Sequence, residues 1–202
     1  MNIFRIIIMT ALSSLAVQSF AQTPLEMLQG KFSAGAVSIV AEYELTVQNM
    51  PVAGSSEVLV QQDMYHVKGN GLEVYCNGRS VWTIDDSSKE VVIEPCAGPV
   101  QGYMENPVLL LAELGDFFEM KSDRRVGNDT EYVMDAVKDC GIVSAKLIVS
   151  PGGIVRSGIF IMEDGTEVAV KVKSMKKTEE RNPSFFSPDR KFSSDWIVTD
   201  LR

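Results

Sequence analysis

The chain has one histidine, His66, and three cysteines, Cys76, Cys96 and Cys140, in 202 residues. A single histidine excludes a two-histidine metal site and leaves one candidate base for a Ser-His-Asp or Cys-His arrangement. G-x-S-x-G, C-x-x-C and phosphate-loop patterns are missing as well. His66 sits in the middle of a strand pattern and reads as structural. Gly69-Asn70-Gly71 reads as a turn and not a nucleotide motif, and Asp85-Asp86 as a turn before a cation site. No catalytic residue, metal ligand or cofactor is expected, and the chain is not expected to be an enzyme.

Basic charge is also scarce. Lys and Arg number 19 against 27 Asp and Glu, a formal charge of −8. That balance argues against nucleic acid and anionic membrane surfaces as partners and favours solubility. Apolar runs are short. Ile6–Val17 follows Arg5 and is too brief to span a bilayer. Ser19-Phe20-Ala21 then places small residues at the −3 and −1 positions of a cleavage site. The expectation is a cleavable secretory signal over residues 1–21 and one mature domain over 22–202. No cysteine lies near the cut to carry a lipid, and no later stretch is apolar and long enough for a membrane span. An exported protein meets an oxidising compartment, where one cysteine pair could be bridged and one thiol left over.

What the sequence has in abundance is strand pattern. Gly71–Pro95 reads as three short strands, with Asn77-Gly78 as a tight hairpin turn needing φ > 0 at both positions. Pairing these strands puts Tyr75, Trp82, Ile84, Val91 and Ile93 on one face. Leu72, Val74, Cys76, Val81 and Val92 fall on the other. An antiparallel sheet packed on one side should be polar on its second face. Two apolar faces imply either a sandwich or barrel core with helices outside, or a curved sheet with one face packed and the other lining an apolar cavity. The same register sets the α-carbons of Cys76 and Cys96 ~10 Å apart, two strand spacings, which is beyond disulfide reach unless the loop at Cys96 turns back. A bridge involving Cys140 is the better candidate, and three free thiols are the alternative.

The flanking chain reads as follows. Thr23-Pro24-Leu25-Glu26 opens a helix with a capping box, and Leu25, Leu28 and Phe32 follow at helical spacing. Val37–Val47 alternates as a strand, and Pro51 and Gly54 mark a turn. Glu57–Val67 is a second strand, with Leu59, Tyr65 and Val67 on one side and Val58, Val60 and Met64 on the other. Asn106-Pro107 caps a helix from Val108 to about Leu114, stopped by Gly115. With Leu110, Leu111, Leu114, Phe117 and Phe118 this is the most apolar part of the mature chain, suited to a buried helix or to a lid. Strands return at Tyr132–Val137, Ile142–Val149, Ile154–Met162 and Thr166–Met175. A polar linker over Lys176–Asn182, an aromatic patch at Phe185-Phe186 and a closing strand over Trp196–Leu201 complete the chain. The class is mainly β with a few helices.

The run from Tyr75 to Asp85, YCNGRSVWTID, resembles the "DGK-x-x-W-x-Y" hairpin of the periplasmic outer-membrane lipoprotein carriers, the LolA-like family. Asn106 to Leu111 is similar to the helix that follows the meander in that family. Phe185-Phe186-Ser187-Pro188 resembles its late "F-x-F-x-P" segment, with the second aromatic one position early, and Trp196 to Arg202 resembles its closing strand. The resemblance implies an unclosed antiparallel β-barrel with helices covering its concave face. It also implies a periplasmic monomer that shields the acyl chains of lipoproteins and carries them from an inner-membrane lipoprotein-releasing transporter to an outer-membrane receptor. On that implication the lipid-binding cavity is drawn from Tyr43, Leu45, Val58, Val60, Tyr75, Trp82, Ile84, Val91, Leu110, Leu114, Phe117 and Phe118. One departure is visible: the family's functional arginine falls near Gln62 here. Carriage of another amphiphile, such as a glycolipid or pigment precursor, and a non-carrier interaction module are the alternatives.

Overall fold

Twelve strands make one sheet in the computed structural model, which describes residues 22–33, 35–47, 50–96, 111 and 114–202. They are β1 (Ala36–Val47), β2 (Met50–Gln61), β3 (Met64–Gly69), β4 (Leu72–Asn77), β5 (Ser80–Asp85) and β6 (Glu90–Pro95), then β7 (Phe118–Val126), β8 (Asp129–Ala136), β9 (Ile142–Val149), β10 (Val155–Met162), β11 (Glu167–Thr178) and β12 (Ile197–Asp200). The spatial order is β12-β6-β5-β4-β3-β2-β1-β11-β10-β9-β8-β7. Every neighbouring pair is antiparallel except β12 with β6, which run parallel. The two ends of the sheet do not meet, so the barrel is open. The described helices are α1 (Pro24–Phe32) and α2 (Leu114–Phe117), with a 3₁₀ turn at Pro183–Phe186. None is long and apolar enough to cross a membrane.

Local chemistry sets α1 as expected. The Thr23 hydroxyl accepts from the Glu26 N–H at 3.2 Å, and the Glu26 carboxylate accepts from the Thr23 N–H at 2.7 Å. Leu28 and Phe32 are buried on the sheet, with Leu25 beside them. The turn between β9 and β10 touches the same helix. A side chain at Gly153 would lie 2.6 Å from the Leu28 backbone nitrogen, and its φ of +67° suits glycine.

Several expected boundaries move. Glu57–Val67 is two strands, because Gln62, at φ 56°, turns the chain back at Gln62-Asp63. Val60 therefore pairs with Tyr65 and Val58 with Val67, so all four share one face. Gly54 lies inside β2 opposite Tyr43. Gly115 lies within α2 and does not stop the helix. β11 runs on to Thr178, through what reads as a polar linker, and pairs there with Ala36. β7 has no counterpart in the expected elements. It is an edge strand whose residues after Phe118 are exposed and mostly charged, so no alternation marks it. The expected helix at Asn106–Leu114 falls mainly outside the described residues.

Candidate functional site: the concave face

Strand register sorts the sheet into two surfaces. Ile39, Val58, Val67 and Val74 follow one another across β1 to β4. On the other half, Tyr43, Val170, Gly158, Leu147 and Tyr132 line up across β1, β11, β10, β9 and β8. All of these non-glycine residues belong to a single apolar cluster or pack against it. Gly158 is part of that fit, since a Cβ there would lie 2.9 Å from Leu147 and 3.0 Å from Phe160. Leu28 and Phe32 of α1, with Leu111, Leu114, Phe117 and Phe118, join the same cluster and form its cover. We take this as the concave face, apolar across the width of the sheet and packed among the described residues against α1 and α2.

Along one border the face becomes polar. The Tyr43 hydroxyl bonds to the Asn70 side chain. Asn70 and Gly71, with φ values of 52° and 80°, form the tight turn between β3 and β4. Leu72, next to it, is 43% exposed on the concave side.

The second surface is separately covered. Ile84, Val91 and Ile93 are buried there with Tyr75 and Trp82, beneath Phe192 and Trp196 of the C-terminal segment. That segment is held at several points. Gln61 donates to the Arg181 carbonyl at 3.1 Å and accepts from the Arg181 N–H at 2.7 Å. Asn77 donates to the Ser187 hydroxyl, Arg190 pairs with Asp86 at 2.7 Å, and Lys89 pairs with Asp195 at 2.6 Å. Phe186 is fully buried. His66 belongs to this surface: its Nε2 lies 3.0 Å from the Glu73 carboxylate, and its ring lies against Tyr75 and Phe185. Burial, and then the hydrogen bond and charge of Glu73, push the Tyr75 hydroxyl up to about 12.

Comparisons with known proteins bear on the architecture. No family model matches the chain, and no curated protein matches its sequence. Among solved structures, an uncharacterized conserved protein from Thermus thermophilus superposes with a TM-score of 0.55 at 12% identity, over 88% of this chain and 96% of that one. A LolA superfamily protein from Nitrosomonas europaea gives 0.48 at 13% identity, over 84% and 98%. A putative outer membrane lipoprotein-sorting protein domain from Vibrio parahaemolyticus gives 0.43 at 8%, over 80% and 95%. The fold, an open antiparallel sheet, is shared with the Thermus thermophilus protein. At such identities the likeness is one of fold alone.

Within this sheet the expected cavity residues divide. Tyr43, Val58, Val60, Leu114, Phe117 and Phe118 come together in the concave cluster. The backbone of Leu45, further along β1, pairs with Val52 of β2 and Val168 of β11. Tyr75, Trp82, Ile84 and Val91 lie on the other surface, under the C-terminal segment, so no one cavity is lined by all twelve. The correction follows from the pleat: Tyr75 and Trp82 face each other, one residue out of phase with Val74 and Cys76. Leu110 is outside the described residues. Gln62 is exposed at the β2–β3 turn. The concave residues overlooked in sequence are those of the second half, such as Leu147, Phe160 and Met134. The alternation in their strands was the available signal.

Proposed function

We propose that the protein is an exported carrier that shields the acyl chains of lipoproteins on its concave face and delivers them between membranes. The observation that carries this is the continuity of that face. It is apolar from Val81 on β5 to Met134 on β8, in a sheet that stays open. Each acyl CH₂ removed from water is worth ~0.8 kcal/mol, so a lipidated protein crossing an aqueous compartment needs such a surface. The sequence resemblance supports lipoproteins as cargo, a periplasmic location, an inner-membrane releasing transporter as donor and an outer-membrane acceptor. The lining residues proposed are Tyr43, Leu45, Val58, Val60, Leu114, Phe117 and Phe118.

Native mass spectrometry of protein recovered from its own cells, with displacement of a hydrophobic dye by a triacylated peptide, tests this. The expected result is bound acylated peptide and competitive displacement. Free lipid in place of acylated peptide would turn the assignment to another amphiphile. Dye binding that no lipid displaces would remove the carrier.

A further inference from the structure

Cys76 and Cys96 lie two strands apart in the register, yet their sulfurs are 3.6 Å apart. The cause is the end of β5. Its pairing stops at Ser80 with Pro95, and Cys96 then donates its N–H to the Arg79 carbonyl at 2.8 Å. Cys96 thus sits beyond the end of the intervening strand, over the Asn77–Ser80 turn, where nothing separates it from β4. Strand spacing alone, which puts the pair out of reach, does not hold past a strand end. Cys76 is buried and Cys96 is half-buried. Cys140 instead points its thiol at the Ile142 carbonyl, at 3.7 Å.

We propose that Cys76 and Cys96 form an intramolecular disulfide by exchange with a small-molecule or protein disulfide, leaving Cys140 reduced. The more exposed Cys96 attacks one sulfur of the external disulfide as a thiolate, forming a mixed disulfide and releasing the first thiol. Cys76 then gives up its proton and attacks the Cys96 sulfur, expelling the second thiol. Two protein thiols are oxidised and one external disulfide is reduced to two thiols, so electrons and protons balance. The sulfurs need to close to about 2.05 Å, which is a side-chain adjustment of about 1.5 Å from contact distance. Burial pushes the Cys76 thiol up to about 12, and the Gly78 N–H facing it only partly offsets this. Closure needs the Cys76 thiolate and therefore quickens as pH rises. The bridge ties the residue after β6 to β4, across the end of β5.

The test uses the full chain equilibrated over a series of glutathione to glutathione-disulfide ratios, then denatured and alkylated. The expected product is lighter by two hydrogen atoms and takes one alkyl group, at Cys140. Trypsin cuts after Arg79 and Lys89, so the bridge should hold the Cys76 and Cys96 peptides together. Reduction should lower the melting temperature by about 5–12 °C, and Cys96→Ala should abolish that sensitivity while Cys140→Ala keeps it. Three alkylated thiols at the most oxidising ratio, or a bridge through Cys140, would overturn the assignment. The carrier reading does not depend on this outcome, because acyl binding is measured separately on reduced protein.

Discussion

Asn77 makes its turn with its side chain. Its carboxamide oxygen accepts from the N–H groups of Arg79 and Ser80, both at 3.0 Å, while only Gly78 has positive φ, at 81°. The Asn-Gly pair that does adopt the tight two-residue form is Asn70-Gly71. Beside it, Gly69 faces β2 so closely that a Cβ would lie 2.3 Å from the Ser55 carbonyl oxygen and 2.9 Å from the Ser56 α-carbon. These are backbone atoms and cannot rotate away. Gly69→Ala should therefore cost about 2 kcal/mol or more, read as a fall in the urea midpoint with an unchanged slope. Tyr75 allows a pH prediction. Its folded pKa, about 12, lies above the ordinary 10.0. The neutral hydroxyl is favoured by folding, so its stabilisation is complete below pH 10 and is lost as pH rises through 12. Ultraviolet titration should find Tyr75 ionising late, with Tyr132 also raised by burial, and Tyr75→Phe should reduce the late amplitude and flatten the alkaline loss of stability. A Tyr75 that titrated near the ordinary value of 10.0 would show that neither burial nor Glu73 holds its proton.

At the level of elements, α1 is seated in part by the turn between β9 and β10. The Gly153 turn fits against Met27 and Leu28, and a Cβ there would meet their backbone at 2.6 and 2.7 Å. Gly153→Ala should lift the helix from the sheet, costing about 2–4 kcal/mol through the lost seating of Leu28 and Phe32. Hydrogen exchange in α1 should rise first; protection unchanged there would mean the helix is held elsewhere. The sequence shows α1 clearly because its cap and apolar spacing are local. It shows β4, β5 and β6 clearly for the same reason: their side chains sort onto the two faces as expected, although the turn after Asn77 is wider than a two-residue hairpin and pairs Cys76 with Val81. What local pattern could not show is what covers each face. Ile84 and Val91 read as cavity lining because their partners, Phe192 and Trp196, lie about a hundred positions away in a segment without periodicity. β7 escaped because an exposed edge strand needs no apolar alternation. The β2–β3 turn escaped because Gln62-Asp63 carries no glycine or proline, and β-patterned residues run up to it on both sides.

The whole molecule keeps two apolar surfaces apart on opposite sides of one sheet, and substitution should separate their roles. Phe118→Ala and Tyr43→Ala, on the concave side, should lower the affinity for acylated peptide several-fold per folded molecule. Trp82→Ala, on the other side, should lower stability by about 3 kcal/mol and leave that affinity within twofold, as should His66→Ala. Equal effects on binding from both groups would mean that the second surface also takes part in carriage.

The parallel pairing of β12 with β6 sets an order of events in time. Lys89 at the start of that pairing meets Asp195, 106 positions later in the chain. The hairpins from β2 to β6 can form as soon as their own residues are available, since each contact is local. Their second apolar surface then stays bare until the last residues of the chain arrive to cover it. A chain delivered N-terminus first, by synthesis or by export, passes through a state that is folded in the middle and sticky on one side. Its aggregation should be governed by how quickly the final twenty residues follow, and slowing their arrival should trap dimers joined through Trp82 and Ile84.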